Sequence, residues 1–330
     1  MYKAYQKLAV GIDIGGTNTK IGIINHRGEI LSRACISTVG HETVEDFIEA
    51  LYNALQPLIE EFESTGEITG IGIGAPNGNF YTGLIEYAPN LRWNGTIPLA
   101  KFVTERFGIP CSLTNDANAA ALGELYYGAG RGMKHFLVIT LGTGIGSGIV
   151  IDGKLIYGHD GYAGELGHTI IRYGGRKHWK TDLVGSLETY CSATGIAITA
   201  REMLKRTNQE SLLRAIEPEK INSKYVYECA IKGDKLALKV FKYTGKLLGE
   251  ALANFVMFSS PEAIILFGGV IKSGELLMKP TRKHMEKNLL PLFQNKVKLV
   301  FSELEGADSA ILGAGSLVWE QSSEAFQVAI

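Results

Sequence analysis

Asp13 and Asp116 are the residues whose neighbours in sequence point most directly to chemistry. Asp13 lies near the end of the apolar run Leu8 to Ile14, Gly15-Gly-Thr-Asn18 follows, and Ile21 to Ile24 resumes the apolar pattern. This spacing predicts a β-hairpin with Gly15, Gly16, Thr17 and Asn18 at its tip. Glycines there let main-chain N–H groups approach an anion, and Thr17, Asn18 and Thr19 add short polar donors, so phosphate is the guest that fits. A carboxylate beside phosphate is repulsive unless a cation lies between them, and Mg²⁺ on a nucleotide supplies one. These residues alone also admit an ordinary glycine-rich hairpin with a solvated aspartate.

Thr114-Asn-Asp-Ala-Asn-Ala-Ala-Ala121 places Asp116 where a strand ends and a helix begins. A carboxylate at that junction is either a helix cap or a base that accepts a hydroxyl proton during phosphoryl transfer. Further along, Gly161-Tyr-Ala-Gly-Glu-Leu-Gly-His168 puts Glu165 and His168 in a loop, and Ser186-Leu-Glu-Thr-Tyr190 puts Glu188 at a helix start. With Asn90 and Asn115 they form a set of directional hydrogen-bonding partners. Such a set suits a sugar, whose buried hydroxyls each cost about 1–3 kcal/mol if left unpaired. Surface loops and helix caps are the plain alternative.

The elements that must position these residues follow a repeat. The opening hairpin, a third strand from Ile30 to Thr38, a helix from Thr43 to Phe62 and a strand from Ile68 to Gly74 are followed by a short strand at Ile109 to Leu113 and a helix at Ala117 to Tyr127. His135 to Leu141, the glycine turn Gly142-Thr-Gly-Ile-Gly146, Ser147 to Ile151 and Leu155-Ile156 then repeat the three-stranded start. A long helical region from about Ser186 to Phe258 leads to a buried strand, Ala263 to Phe267, closed by Gly268-Gly269. A helix around Glu275 to Leu289, a strand at Val297 to Phe301 and a final helix from about Ser309 complete the chain. The repeat predicts two related α/β domains facing each other, divided as 1–115 plus 309–330 and 116–308, with a glycine turn from each lining the cleft. The letters of Gly70-Ile-Gly-Ile-Gly-Ala75 match a dinucleotide fingerprint, but they lie inside a strand and lead to Pro76, not into a helix.

The 330 residues, 45% hydrophobic and 20% charged, can bury a full core. A formal charge of -1 and a pI of about 6.7 give no overall attraction to nucleic acid or an acidic membrane. Cys35, Cys111, Cys191 and Cys229 are far apart and form no C-x-x-C pair, which suits a reducing cytoplasm. No cleavable apolar leader and no membrane-spanning stretch is expected.

Taken together, Asp13-Ile-Gly-Gly-Thr-Asn-Thr-Lys20, Asn115-Asp-Ala-Asn-Ala119, Leu141-Gly-Thr-Gly-Ile-Gly146 and Gly164-Glu-Leu-Gly-His168 resemble the ROK family (repressor, open reading frame, kinase) over nearly the whole chain. The resemblance implies an actin-like, hexokinase-type α/β fold and ATP-dependent phosphorylation of a sugar hydroxyl, with Asp116 as base. It implies that Asn90, Asn115, Glu165, His168 and Glu188 bind the sugar. Asp13, Gly15, Gly16, Thr17 and Lys20 resemble the family's first phosphate motif, Thr143 and Gly144 its second, and Gly268-Gly269 its adenosine-side motif. It further implies ATP with Mg²⁺ and a homodimer, and the charge balance leads to no expected nucleic-acid or membrane partner. Glucose is the preferred sugar because Glu188-Thr-Tyr-Cys-Ser-Ala-Thr194 looks like the corresponding segment of the family's glucokinases; the 6-hydroxyl is the expected acceptor.

One segment departs from the pattern. Relatives usually follow the Gly-His motif with a cysteine-rich C-x-C-G-x-x-G-C stretch that holds a structural zinc with the histidine. Here that stretch has no cysteine: His178 and Asp182 are the candidates to join His168 on a metal, but thiolates are missing and Lys180 adds repulsion, so zinc is not expected and packing, of Trp179 for example, must hold the loop unless sugar orders it. The competing expectation is a sugar-sensing regulator without kinase activity, although the phosphate hairpin starts too near Met1 to leave room for a DNA-reading helix.

Overall fold

The computed structural model describes residues 5–328 except Asn94 and Glu305, and it describes side chains except those of 306, 307 and 321–328. The first half of the chain contains β1 (Gln6–Ile14), β2 (Asn18–Asn25), β3 (Ile30–Ser37), α1 (Val44–Phe62), β4 (Gly66–Gly74), the two-residue strands β5 (Ile85–Glu86) and β6 (Thr96–Ile97), α2 (Leu99–Phe107), β7 (Cys111–Thr114) and α3 (Asp116–Tyr127). Then come β8 (Phe136–Leu141), β9 (Ile145–Ile151), β10 (Lys154–Leu155), α4 (Glu188–Cys191), α5 (Ala193–Arg206), α6 (Ser223–Ile231), α7 (Lys235–Ser259), β11 (Ala263–Phe267), α8 (Glu275–Asn288), β12 (Lys298–Phe301) and α9 (Gly306–Val328).

Two five-stranded sheets share one connectivity. The first runs β3-β2-β1-β4-β7 and the second β10-β9-β8-β11-β12. In the first, β1 pairs antiparallel with β2 and parallel with β4, and in the second β8 and β12 both pair parallel with β11. The repeat read from the sequence is therefore present strand for strand, in the actin-like α/β arrangement. By compactness the chain forms one unit of Met1–Lys134, Gly148–Gly164 and Ser302–Ile330 and another of His135–Ser147 and Glu165–Phe301. Division at 115/116 and 308/309 follows the repeat instead, and the two partitions differ.

Local chemistry sets the element ends. Thr43 caps α1 by accepting from the Asp46 N–H at 3.1 Å, and Phe47, Leu51 and Leu55 recur on its buried face. The expected continuous helical region from Ser186 is instead broken by its own caps. Ser192 accepts from the Gly195 N–H, Asn222 from Tyr225, and Asp234 from Leu236 and Ala237, so each starts a new helix. Helix α2, ended by Gly108 at a φ of 69°, lies where the sequence pattern names no element.

Glycine in the first sheet is a packing device. A Cβ on Gly11 would overlap the Ile311 carbonyl oxygen, one on Gly72 that of Ala314, and one on Gly313 that of Ala119. These gaps let α9 lie directly on β1 and β4 and against α3, where Ala119 and Ala121 keep the other surface thin. The side chains beyond the sheet's other face, among them Val10, Ile12, Phe47 and Leu51, form a buried apolar cluster. Because main chain cannot yield as a side-chain end can, Gly72→Val is expected to cost on the order of 1–3 kcal/mol. Thermal unfolding checks this: the apparent Tm should fall by several degrees, and an unchanged Tm would mean that α9 does not rest on β4 at this point.

Candidate functional site

In the first unit, strand register gathers the site residues. Asp13 is level with Gly74 of β4, and Gly74 is level with Thr114 of β7, so the carboxyl ends of three parallel strands lie side by side. Asp13 occupies the first of these ends, and Asn115-Asp116 follows the third directly. Gly74 leaves room between them: a Cβ there would lie 3.9 Å from the Asp116 Cα. Residues 15–18 stand outside the β1–β2 ladder, which ends at Ile14–Thr19, and the Gly15 N–H closes the turn on the Asn18 carbonyl at 3.0 Å. Gly16 faces the Asn90 main chain, where a Cβ would come within 3.0 Å of the carbonyl oxygen. The irregular segment carrying Asn90 is thereby seated against the phosphate-type turn.

The cap at α3 is Asn115, not Asp116. The Asn115 side-chain oxygen accepts from the Asn118 N–H at 2.7 Å, and its extended backbone ends β7. Asp116 is then the first helical residue, and its carboxyl meets the N–H groups of Asp116 itself and Ala117 at the start of α3. Desolvation amid the surrounding protein raises the Asp116 pKa, opposed by backbone N–H groups of Asp116 itself and Ala117. The residue is exposed at the surface, so water screens part of this effect. Asp13 is also raised, first by burial, with Lys20 opposing and the Asp116 charge adding to the rise. Lys20 Nζ stands 3.8 Å from Asp13 Oδ2, as their pairing across β1 and β2 requires. Two carboxylates that feel each other beside an anion-type turn suit a divalent cation shared with phosphate oxygens. Among the described residues no group of three or more His, Cys, Asp or Glu side chains is placed to hold a metal by protein ligands alone.

In the second unit, β8 and β11 end together, with Phe267 level with Thr140. The turn after β8 and Gly268-Gly269 after β11 consequently lie at one end of the sheet. Gly268 has a φ of 100°, and a Cβ on it would come within 2.7 Å of the Leu141 carbonyl oxygen, so glycine is required for that approach. The turn is fastened from behind: Gly142 O accepts from the Ala193 N–H and Thr143 O from the Thr194 hydroxyl, both at 2.8 Å. The Ile145 N–H donates to Glu188 Oε2 at 2.6 Å, and a Cβ on Gly144 would overlap that carboxylate. Gly167 gives the loop of Glu165 and His168 a close seat on the Ile145 main chain. His168 Nε2 is 3.6 Å from Glu165 Oε2, while its Nδ1 is buried without a hydrogen-bond partner.

Glu188, expected from the sequence as a sugar ligand, is buried with both oxygens engaged, Oε2 by Ile145 and Oε1 by His178 Nε2 at 2.6 Å. His178 is the residue that sequence reasoning passed over except as a stray metal ligand. Nothing in its spacing, ten residues before Glu188, announces the pairing. Asp182, the other metal candidate, is ion-paired with Lys177 at 2.7 Å. The loop is also not held by Trp179 packing alone: Trp179 stacks on the His178 ring at 4.4 Å, but Arg176 ties the loop to Glu202, to the Thr189 carbonyl and to the Tyr190 ring.

The sequence model of the ROK family matches residues 9–321. A curated glucokinase of Halalkalibacterium halodurans is 37% identical over 318 residues, 94% of this chain and 95% of its own, and a glucokinase of Thermotoga maritima is 34% identical over 314 residues, 94% and 97%. Among solved structures, a ROK family glucokinase from Streptomyces griseus in complex with glucose and AMPPNP aligns with a TM-score of 0.76 at 32% identity, covering 94% of this chain and 98% of that one. Among the described residues no helix is long and apolar enough to cross a membrane. With four motifs, two matching sheets and full-length relatives in agreement, the chain belongs to the ROK family.

Proposed function

We propose that this chain transfers the γ-phosphoryl group of ATP to a hexose, glucose first, at the 6-hydroxyl. The observation that carries the reading is the place of Asp116, directly after β7 and level with the strand end that carries Asp13, with Asn115 supplying the side-chain cap of α3. In this reading the sugar hydroxyl donates a hydrogen bond to the Asp116 carboxylate. As its oxygen bonds to the γ-phosphorus, the bond from that phosphorus to the β,γ-bridging oxygen breaks, ADP leaves, and the hydroxyl proton passes to Asp116.

The turn at Gly15, Gly16 and Thr17, with Lys20, and the turn at Thr143 and Gly144 receive phosphates, and Gly268-Gly269 flanks the adenosine. Asn90, the Asn115 amide, Glu165, His168 and Glu188 pair sugar hydroxyls. Asp13, with phosphate oxygens, would hold Mg²⁺, which neutralises charge on the transferring group when bound. The glucose and ATP-analogue complex of the Streptomyces griseus relative supports this choice of ligands. The free cysteines fit the proposed cytoplasmic location, the even charge balance fits a protein that engages neither nucleic acid nor membrane, and a homodimer is proposed from the family resemblance alone.

Asp116→Asn is expected to lower kcat by roughly 10²-fold or more with little change in glucose affinity, because the amide still hydrogen-bonds but takes no proton. Kinetics of ADP release beside calorimetric glucose binding separate the two, and retained turnover would remove Asp116 from the mechanism. A second expectation concerns pH. The base works only when ionised, so kcat should be lost as pH falls through the raised Asp116 pKa, an acid limb above the ordinary aspartate range. A raised carboxyl pKa in the folded state also means that ionised Asp116 opposes folding at neutral pH. Asp116→Asn should therefore raise the apparent Tm at pH 7, with the gain shrinking on acidification; a lowered Tm at pH 7 would contradict it.

A further inference from the structure

The residues present do not fit a zinc site like that of cysteine-bearing relatives. The His178 side chain is 3% exposed, and its Nδ1 accepts from the Lys180 and Thr181 N–H groups, both at 3.1 Å. With that lone pair used, the neutral ring carries its proton on Nε2, which donates to Glu188 Oε1. Neither ring nitrogen is left for a metal. His168, whose ring meets that of His178 edge-on at 5.8 Å, has no thiolate to join it.

We propose that His178 is a positioning residue that latches the cysteine-free loop to Glu188 in place of a metal, and through Glu188 fixes the sugar-contacting loop and the second glycine turn together. The geometry forms one chain: Lys180 and Thr181 main chain to His178, His178 to Glu188, and Glu188 to the Ile145 N–H beside Gly144. Around it, the loop folds as a narrow ladder. Ile170 bridges Ser186, Lys177 bridges Val184, and the His178 N–H reaches the Leu183 carbonyl at 2.8 Å, so the ring is delivered to Glu188 by ordered backbone. Two bonds of 2.6 Å to different elements leave Glu188 one orientation. The carboxylate keeps further lone pairs for a hydroxyl, because each oxygen accepts more than one bond. A carboxylate oriented in this way presents those lone pairs to a sugar without first losing side-chain entropy. His178 acts on the sugar only through Glu188, and this inference rests on the reading of Glu188 as a sugar ligand.

The latch is tested with His178→Phe, which keeps a ring against Trp179 but donates nothing, and His178→Gln, which returns an N–H donor near the Nε2 position. His178→Phe is expected to weaken calorimetric glucose binding and raise the glucose KM by about tenfold or more, in the range typical for lost outer-shell partners. The ATP KM should change less, and His178→Gln should recover most of the loss. Equal damage in both variants, or none in His178→Phe, overturns the proposal. If His178→Phe does not fold, a cycle of His178→Gln and Glu188→Gln decides: coupled effects on glucose affinity are expected, and additive effects overturn it. The ¹⁵N resonances of His178 give a readout independent of any sugar. A proton on Nε2 and a bare Nδ1 are expected, and a proton on Nδ1 would overturn the latch, whereas failure to bind glucose or release ADP counts against the proposed function alone. Elemental analysis should find no stoichiometric zinc; about one zinc per chain, with glucose binding lost on chelation, would overturn the latch.

Discussion

The constraint on which the first unit depends is the proximity of two carboxylates beside a turn shaped for anions. Burial holds both carboxyls above the ordinary aspartate range, the Asp116 charge adds to the rise at Asp13, and Lys20 opposes it there. Such a pair is a poor structural choice, since each unit of folded stability gained from burial is offset by desolvating charge. It is a good chemical choice. In the proposed reaction a base with a raised pKa is a better proton acceptor, and a second carboxylate beside phosphate would draw in a cation. The stability contributed by α9 packed on β1 and β4 is what lets the fold carry this arrangement.

Glycine recurs at these points for distinct reasons. Gly11 and Gly72 are glycines because a helix backbone lies where a Cβ would be, Gly144 because a carboxylate does, and Gly268 because its own backbone turns left-handed. Gly16 instead leaves space for the main chain of Asn90. The first pair stiffens the platform, and the others bring main-chain donors and side chains into one small volume within each unit. A fold that places its functional groups on turns at strand ends needs both, because loose turns would spread the donors and a soft platform would shift them.

Much of this was legible in the sequence because the signals were local. The Leu8–Ile24 hairpin, its echo at 135–151 and the helix after Asn115 are set by alternation, glycine tips and caps, and their sheets appear in the expected order. The identity of the cap was not: Asn115 and Asp116 are both good N-caps, and only the backbone direction at the end of β7 decides between them. The breaks within 186–258 were legible in principle from Ser192, Asn222 and Asp234, but the apolar periodicity runs on past them. The His178–Glu188 pairing was not legible at all. It depends on a ladder between Lys177 and Val184 that brings the ring inward, and tertiary delivery of this kind leaves no periodicity in the residues concerned.

The most direct measurement of the central claim is phosphorus NMR of the protein with MgATP and glucose, read against ADP released in the same tube. One new phosphomonoester at the 6-position is expected for each ADP, and no ADP when the sugar is left out. Glucose that binds while ATP persists unchanged would contradict it and leave a sugar-binding protein of the same fold.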